Sequence, residues 1–142
     1  MQTGSRGKSV KKILVYKLEE TPYEAPLRLL AAEQDVLYIQ VEKTKLRNEL
    51  RELLMIPAAG TDADGVFSPA PDVWIHRRDM VEPLLLLYGF SNEEMEAFFD
   101  GMKSCGIPRI RLTAMATVHN LRWSFRALYQ ELRSEADAMA GK

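Results

Sequence analysis

Five polar side chains lie where the sequence predicts that a helix begins after a strand. They are Ser91, Asn92, Thr117, His119 and Asn120. In open α/β sheets, ligands bind beyond the carboxyl ends of the strands, where helix N-termini offer free N–H groups to an anion. We therefore interpret these five residues as a candidate binding site for a small carboxylate or phosphate.

Each of these residues also has a purely local interpretation. Ser91 is the predicted N-cap of the third helix, and Thr117 immediately precedes the predicted last helix, so both hydroxyls can cap. Asn120, three residues after Thr117, can bond back to the turn as in a capping box. A histidine such as His119 can serve as an acid or base, but a single histidine in a first helical turn more often faces solvent or caps the helix, so we predict no catalytic residue.

Other chemistry finds little support in the sequence. Glycine-rich phosphate loops and the Gly-x-Ser-x-Gly elbow are absent. Cys105 is the single cysteine, and His76 has no second ligand at a metal-binding spacing. Glu19 and Glu20 are neighbours in an extended segment, so their carboxylates point to opposite sides. We predict neither a metal nor a cofactor.

Composition narrows the class of protein. The chain has 142 residues, a net charge of −1 and 27% charged residues, which is typical of one globular domain and not of a nucleic-acid binder. No apolar run reaches the roughly 20 residues that span a bilayer. The basic leader lacks the apolar stretch of a secretory signal. We therefore expect a cytoplasmic protein that binds neither membranes nor nucleic acid.

The elements that would position these side chains follow one order twice: strand, helix, strand, helix. Alternating strands and helices predict mostly parallel strands with helices on both faces. The fold class is therefore α/β, a three-layer sandwich with four or five strands built from two βαβα halves. Strand order 2-1-3-4 is our first expectation. Residues 73–75 are a possible fifth, edge strand.

The predicted boundaries divide the chain into a disordered leader (1–11), a single α/β domain (12–138) and a frayed tail (139–142). Within the domain, halves 12–55 and 83–138 flank a long loop, 56–82, which is rich in glycine and proline. We expect the loop to be a joint between the halves, although a loop of this length can also bind ligands. Two separate lobes are a weaker alternative.

Local patterns also predict the helix limits. Thr21 and Pro22 are typical of the N-cap and first position of the first helix. Leucines from Leu46 to Leu54 indicate a second helix. The last helix is predicted from Val118 to Ala138. Residues 109–112 alternate between charged and apolar side chains, which favours a half-exposed fourth strand.

On a helical wheel of the predicted last helix, Trp123 lies opposite the apolar stripe, beside Ala127 and Gln130. An outward-facing tryptophan often marks a contact. One interpretation is that the long loop, or the region of Trp74, covers this face within the chain. The second is a homodimer interface about a two-fold axis, and the third is a site for a ligand or another protein.

The block from Ala114 to Trp123, with Leu128 and Glu131-Leu132 after it, resembles the C-terminal part of a family of small bacterial proteins of unknown function. The lead-in from Pro83 to Ser91 is similar to that family's strand and turn. The resemblance covers about the last 60 residues and implies a bacterial cytosolic protein. It draws attention to Thr117, Asn120 and Trp123 and implies no activity.

The sequence thus favours a non-enzymatic module that binds itself or another protein. The alternative is a binding protein or enzyme for a small anionic ligand at the carboxyl ends of the strands.

Overall fold

The computed structural model of the chain describes residues 10–56 and 70–140. The strands are β1 (Lys11–Tyr16), β2 (Val36–Gln40), β3 (Leu84–Tyr88) and β4 (Leu112–Met115). The α-helices are α1 (Glu24–Glu33), α2 (Leu50–Leu53), α3 (Asn92–Ser104) and α4 (Phe125–Ala140), with short 3-10 helices at Lys43–Lys45 and Arg77–Asp79.

The strands form one mixed sheet in the order β2-β1-β3-β4, so the predicted 2-1-3-4 order is confirmed. β1 runs parallel to β2, and β3 runs parallel to β4. The central pair, β1 and β3, is antiparallel. The α/β class and a mostly parallel sheet are therefore confirmed, with one antiparallel junction between the halves.

Three layers arise because the central strands are apolar on both faces. Alternate residues such as Leu14 and Leu86 point towards α2 and α4, where they meet Leu50 and Phe125. The intervening residues, among them Ile13, Val15, Leu85 and Leu87, pack against α1 and α3. Each face of the sheet thus buries its own apolar cluster.

The two halves are related by an approximate two-fold axis through the middle of the sheet. Leu14 lies opposite Leu86, while the start of each strand lies opposite the end of the other: Lys12 faces Tyr88, and Tyr16 faces Leu84. Both strands end in a tyrosine followed by a residue with positive φ, Lys17 at 66° and Gly89 at 84°. The repeated order of elements is therefore a repeat in space.

Two short segments meet across the same axis, and we call residues 46–51 and 121–126 the pairing segments. Leu50 N–H donates to Trp123 O (2.8 Å), and Phe125 N–H donates to Asn48 O (2.9 Å). A second reciprocal pair joins Arg51 N–H to Leu121 O (2.8 Å) and Arg126 N–H to Leu46 O (3.0 Å). The sequences repeat too, as Leu-Arg-x-x-Leu-Arg-x-Leu from position 46 and Leu-Arg-x-x-Phe-Arg-x-Leu from position 121.

This pairing explains two errors in the predicted helices. The second helix is α2, of only four residues, because residues 46–48 form a turn and Glu49 is extended, and main-chain groups of this segment bond to the other pairing segment. The last helix begins at Phe125 and not at Val118 for the same reason. Trp123 therefore precedes the helix, and its position on the helical wheel was wrong.

Three smaller predictions also need correction. The first helix begins after Tyr23 because the Thr21 hydroxyl instead closes a turn by donating to Leu18 O (2.8 Å). The fourth strand lies at Leu112–Met115, three residues later than predicted, because those residues are the ones in register with β3. Residues 73–75 form no strand; Gln130 holds this segment instead.

Positions 1–9 of the predicted leader, 141–142 of the predicted tail and 57–69 of the predicted joint lie outside the described residues. Within the described ranges, strands from both halves share one sheet and one pair of apolar clusters. No helix in residues 10–56 or 70–140 is long and apolar enough to cross a membrane.

Tyr16 provides a test of the core. Its buried hydroxyl donates to Met80 O (2.6 Å), and burial, helped by Tyr129, raises its pKa to about 12 from 10.0. A raised tyrosine pKa stabilises the fold below pH ~10, and this stability is lost as the pH rises towards 12. We expect Tyr16→Phe to lower the free energy of unfolding by about 1–3 kcal/mol at pH 7, because the Met80 carbonyl loses its donor.

The same variant should flatten the decline in stability between pH 10 and 12, measured by urea unfolding. Part of the decline should persist, because burial also raises the pKa of Tyr38 and of Tyr129. Tyr23→Phe, at a half-buried tyrosine, is the control and should change stability by less than about 0.5 kcal/mol. An unchanged alkaline slope in Tyr16→Phe would contradict this role.

Candidate functional site

The five residues predicted to bind an anion follow β3 and β4, which are parallel neighbours and so end at the same edge of the sheet. Ser91 caps α3: its hydroxyl accepts from Glu94 N–H (3.1 Å), and the Glu94 carboxylate accepts from Ser91 N–H (2.9 Å). Asn92 is the first residue of α3 and is exposed. The Ser91 oxygen is thus engaged within the helix start.

Thr117 and Asn120 close a turn after β4. The Asn120 side-chain oxygen accepts from Thr117 N–H (2.9 Å), and its amide group donates to Met115 O (3.3 Å). The Thr117 hydroxyl accepts from His119 N–H (3.2 Å), and the His119 side chain is exposed. These bonds match the local interpretation, whereas ligand binding by the five residues stays a prediction.

The three residues predicted to form an interface have different surroundings. Ala127 and Gln130 are 0% and 1% exposed, so neither offers surface to a partner. The Gln130 side-chain oxygen accepts from Trp74 N–H (2.6 Å) and Ile75 N–H (3.1 Å), and its amide donates to Asp72 O (2.7 Å). Residues 72–75 therefore cover α4 at Gln130, whereas burial of Trp123 by this region stays a prediction.

Trp123 is half-buried, and its main chain belongs to the second pairing segment. Trp74, in contrast, is 65% exposed. Any interface through an exposed indole would thus involve Trp74 more than Trp123.

A different feature dominates the other edge of the sheet, where β1 and β2 end. A hollow of about 650 Å³ is lined there by Tyr16, Lys17 and Lys43, and by the segment from His76 to Val81 that leads into β3. Because β3 is antiparallel to β1, its start lies beside the end of β1. The antiparallel orientation of β3 thus places Arg77 and Arg78, which precede β3, near Lys17 and Lys43, which follow β1 and β2.

A second hollow of about 370 Å³ adjoins the first, since Lys43, His76 and Arg77 line both. It adds Arg47 and Arg126. We call the two together the basic hollow, whose cationic residues are Lys17, Lys43, Arg47, Arg77, Arg78 and Arg126, with His76 among them. Among the described residues, no aspartate or glutamate lines either part.

Among residues 10–56 and 70–140, no carboxylate pairs with the charges of the basic hollow. The Arg126 guanidinium donates to Ile75 O, but its Nε is buried and has no hydrogen-bond partner among the described residues. An unpaired buried donor is costly, so a bound acceptor would stabilise this arginine.

The arrangement can bind and orient an anion. Arginine presents a planar fork of donors that matches phosphate and carboxylate oxygens, and lysine adds point charges. In the part of the chain that the structure describes, no three His, Cys, Asp or Glu side chains come together as a metal site.

The sequence analysis does not predict the basic hollow. In the sequence, Lys43 and Arg47 look like the solvated face of the predicted second helix. The signal was the Arg77-Arg78 pair just before a buried strand. Its meaning depended on the antiparallel junction, which the sequence did not reveal.

The geometry defines the class as a three-layer α/β protein with a duplicated βαβα unit. Within it, a domain of unknown function, DUF3783, is found at residues 83–139, about two fifths of the chain. The matched domain has about the extent that the resemblance suggested and is likewise of unknown function; the bacterial source and the motif stay predictions. No curated protein and no solved structure matches the chain.

Gln130 provides a test of the cover over α4. In Gln130→Leu, three backbone groups of the 72–75 segment lose their partner, so we expect the free energy of unfolding to fall by about 2–5 kcal/mol. Amide hydrogen exchange at Trp74 and Ile75 should accelerate. Gln40→Leu is the matched control, because the side-chain oxygen of Gln40 accepts an exposed 3.4 Å bond from Arg28 and supports no main-chain group among the described residues. Unchanged protection at both amides would contradict the assignment.

Proposed function

We propose that this chain is a binding module for a small anion with more than one negative charge, held in the basic hollow. One observation carries the proposal: six cations and a histidine line adjoining hollows without a carboxylate among the described lining residues. The ligand chemistry is the one expected from the sequence. The place differs, since the hollow lies at the end of β1 and β2 and not at the end of β3 and β4.

Three features support a ligand with several negative charges. The overall net charge is −1, so this concentration of positive charge is local. Like charges that share a hollow repel one another, and an anion relieves that repulsion. Arg47, Arg77 and Arg126 lie on three separate segments, so one ligand with several acceptor groups can reach more than one of them.

Most of the residues that line the basic hollow lie outside the matched family domain. Lys17, Lys43 and Arg47 come from the first half, and Arg77 and Arg78 precede residue 83. Only Arg126 comes from residues 83–139. We therefore assign the binding activity to this chain's own combination of halves and not to the family domain alone.

Calorimetric titration with pyrophosphate and with citrate tests the proposal. We expect saturable binding that weakens as salt rises, because the attraction is largely Coulombic. Lys43→Ala should weaken binding several-fold, since Lys43 lines both parts of the hollow. Arg77→Gln should weaken it at least as much, because arginine can bind two oxygens at once.

The matched control is Lys103→Ala, which removes the same charge from an exposed position in the last turn of α3. It should leave the affinity within about two-fold of the wild type. The proposal would be contradicted if neither probe bound saturably. It would also be contradicted if Lys103→Ala weakened binding as much as Lys43→Ala. Preference for one probe would distinguish a phosphate from a carboxylate ligand.

A further inference from the structure

We propose that the surface through which the second half contacts the first is self-complementary, so that the partner it fits is a second copy of residues 84–140. Within one chain the first half occupies this surface. The inference is independent of the basic hollow.

The central strands carry the first part of the argument. β3 pairs with β1 about Leu86, opposite the equivalent Leu14. A strand that pairs antiparallel about its own middle residue presents the same donors and acceptors to a copy of itself. In such a copy pair Leu84 would lie opposite Tyr88, which reproduces the observed Leu84–Tyr16 pair. All five residues of β3 are apolar or aromatic, so every pair of opposite side chains in the copy pair would join two apolar or aromatic residues.

The pairing segments carry the second part. The segment 121–126 accepts two hydrogen bonds, at Leu121 O and Trp123 O, and donates two, from Phe125 N–H and Arg126 N–H. The partner segment does the same at equivalent positions. In a copy pair, Phe125 N–H would donate to Trp123 O of the other copy, and Arg126 N–H to Leu121 O. All four bonds are between main-chain groups, so they do not depend on the side chains of the first half.

The structure also shows why the intact chain favours its internal pair. Arg122 Nε lies 3.7 Å from the Glu49 carboxylate, across the two halves. In a copy pair Ser124 would replace Glu49, because these two residues lie opposite each other in the isolated bridge. The covalent link further raises the effective concentration of the first half. A second copy therefore competes only where the internal pair is opened.

The experiment uses the full chain with a protease site inserted in residues 57–69, which lie outside the described residues. The cleaved chain is unfolded in urea, refolded and examined by native mass spectrometry, which separates the fragments by mass. We expect complexes of the two different halves together with complexes of two second halves.

A charge at the bridge position separates the two kinds of complex. In a copy pair Ser124→Lys puts two lysines opposite each other, whereas in the mixed pair the lysine faces Glu49. Like charges opposite one another destabilise a strand pair. We expect the ratio of copy pairs to mixed pairs to fall roughly two- to five-fold. Ser124→Ala is the control, since it removes the same cap to Ala127 N–H without adding charge.

The proposal is overturned if every complex contains one first half and one second half, or if the mass spectrum shows only single fragments. It is also overturned if pairs of second halves form but respond alike to Ser124→Lys and Ser124→Ala, because they would then use another surface. Pairs of second halves that decrease selectively with Ser124→Lys support it.

Discussion

The antiparallel pairing of β1 with β3 is the constraint on which the rest of the structure depends. Both strands are buried on both faces, so their main-chain groups must bond to each other or stay unpaired. Their shared centre at Leu14 and Leu86 generates the approximate two-fold axis. That axis places α1 beside α3 on one face, and it brings the pairing segments together on the other.

The same axis determines which charged residues come together in the basic hollow. Because β3 enters the sheet where β1 leaves it, Arg77 and Arg78 come next to Lys17 and Lys43. The repeat is not exact at this point: Gly89 stands in the second half where the first has Lys17, and Val118 stands where it has Lys43. Lys43 and Val118 each lie three positions before the leucine that opens the pairing segment. The basic hollow is therefore not repeated at the equivalent place in the second half, although Arg126 of that half helps to line it.

Short sequence patterns predicted helix ends that depend on neighbouring residues alone. Ser91 caps α3, and Gly106 follows that helix with positive φ, as their residue types indicate. The repeated order of elements predicted the layers, whereas the strand order, which the sequence does not determine, was a first expectation that the structure confirms. The starts of α2 and α4 could not be predicted, because main-chain bonds between distant segments override helical periodicity there. Trp123 was misplaced for that reason, and the basic hollow was missed because it joins residues far apart in the sequence.

Nuclear Overhauser contacts between main-chain protons of β1 and β3 test the pairing most directly. The structure predicts an antiparallel pattern centred on Leu14 and Leu86, with Lys12 close to Tyr88 and Tyr16 close to Leu84. A parallel pattern, in which Lys12 lies close to Leu84, would contradict the two-fold relation. So would the absence of contacts between these two strands in the folded protein.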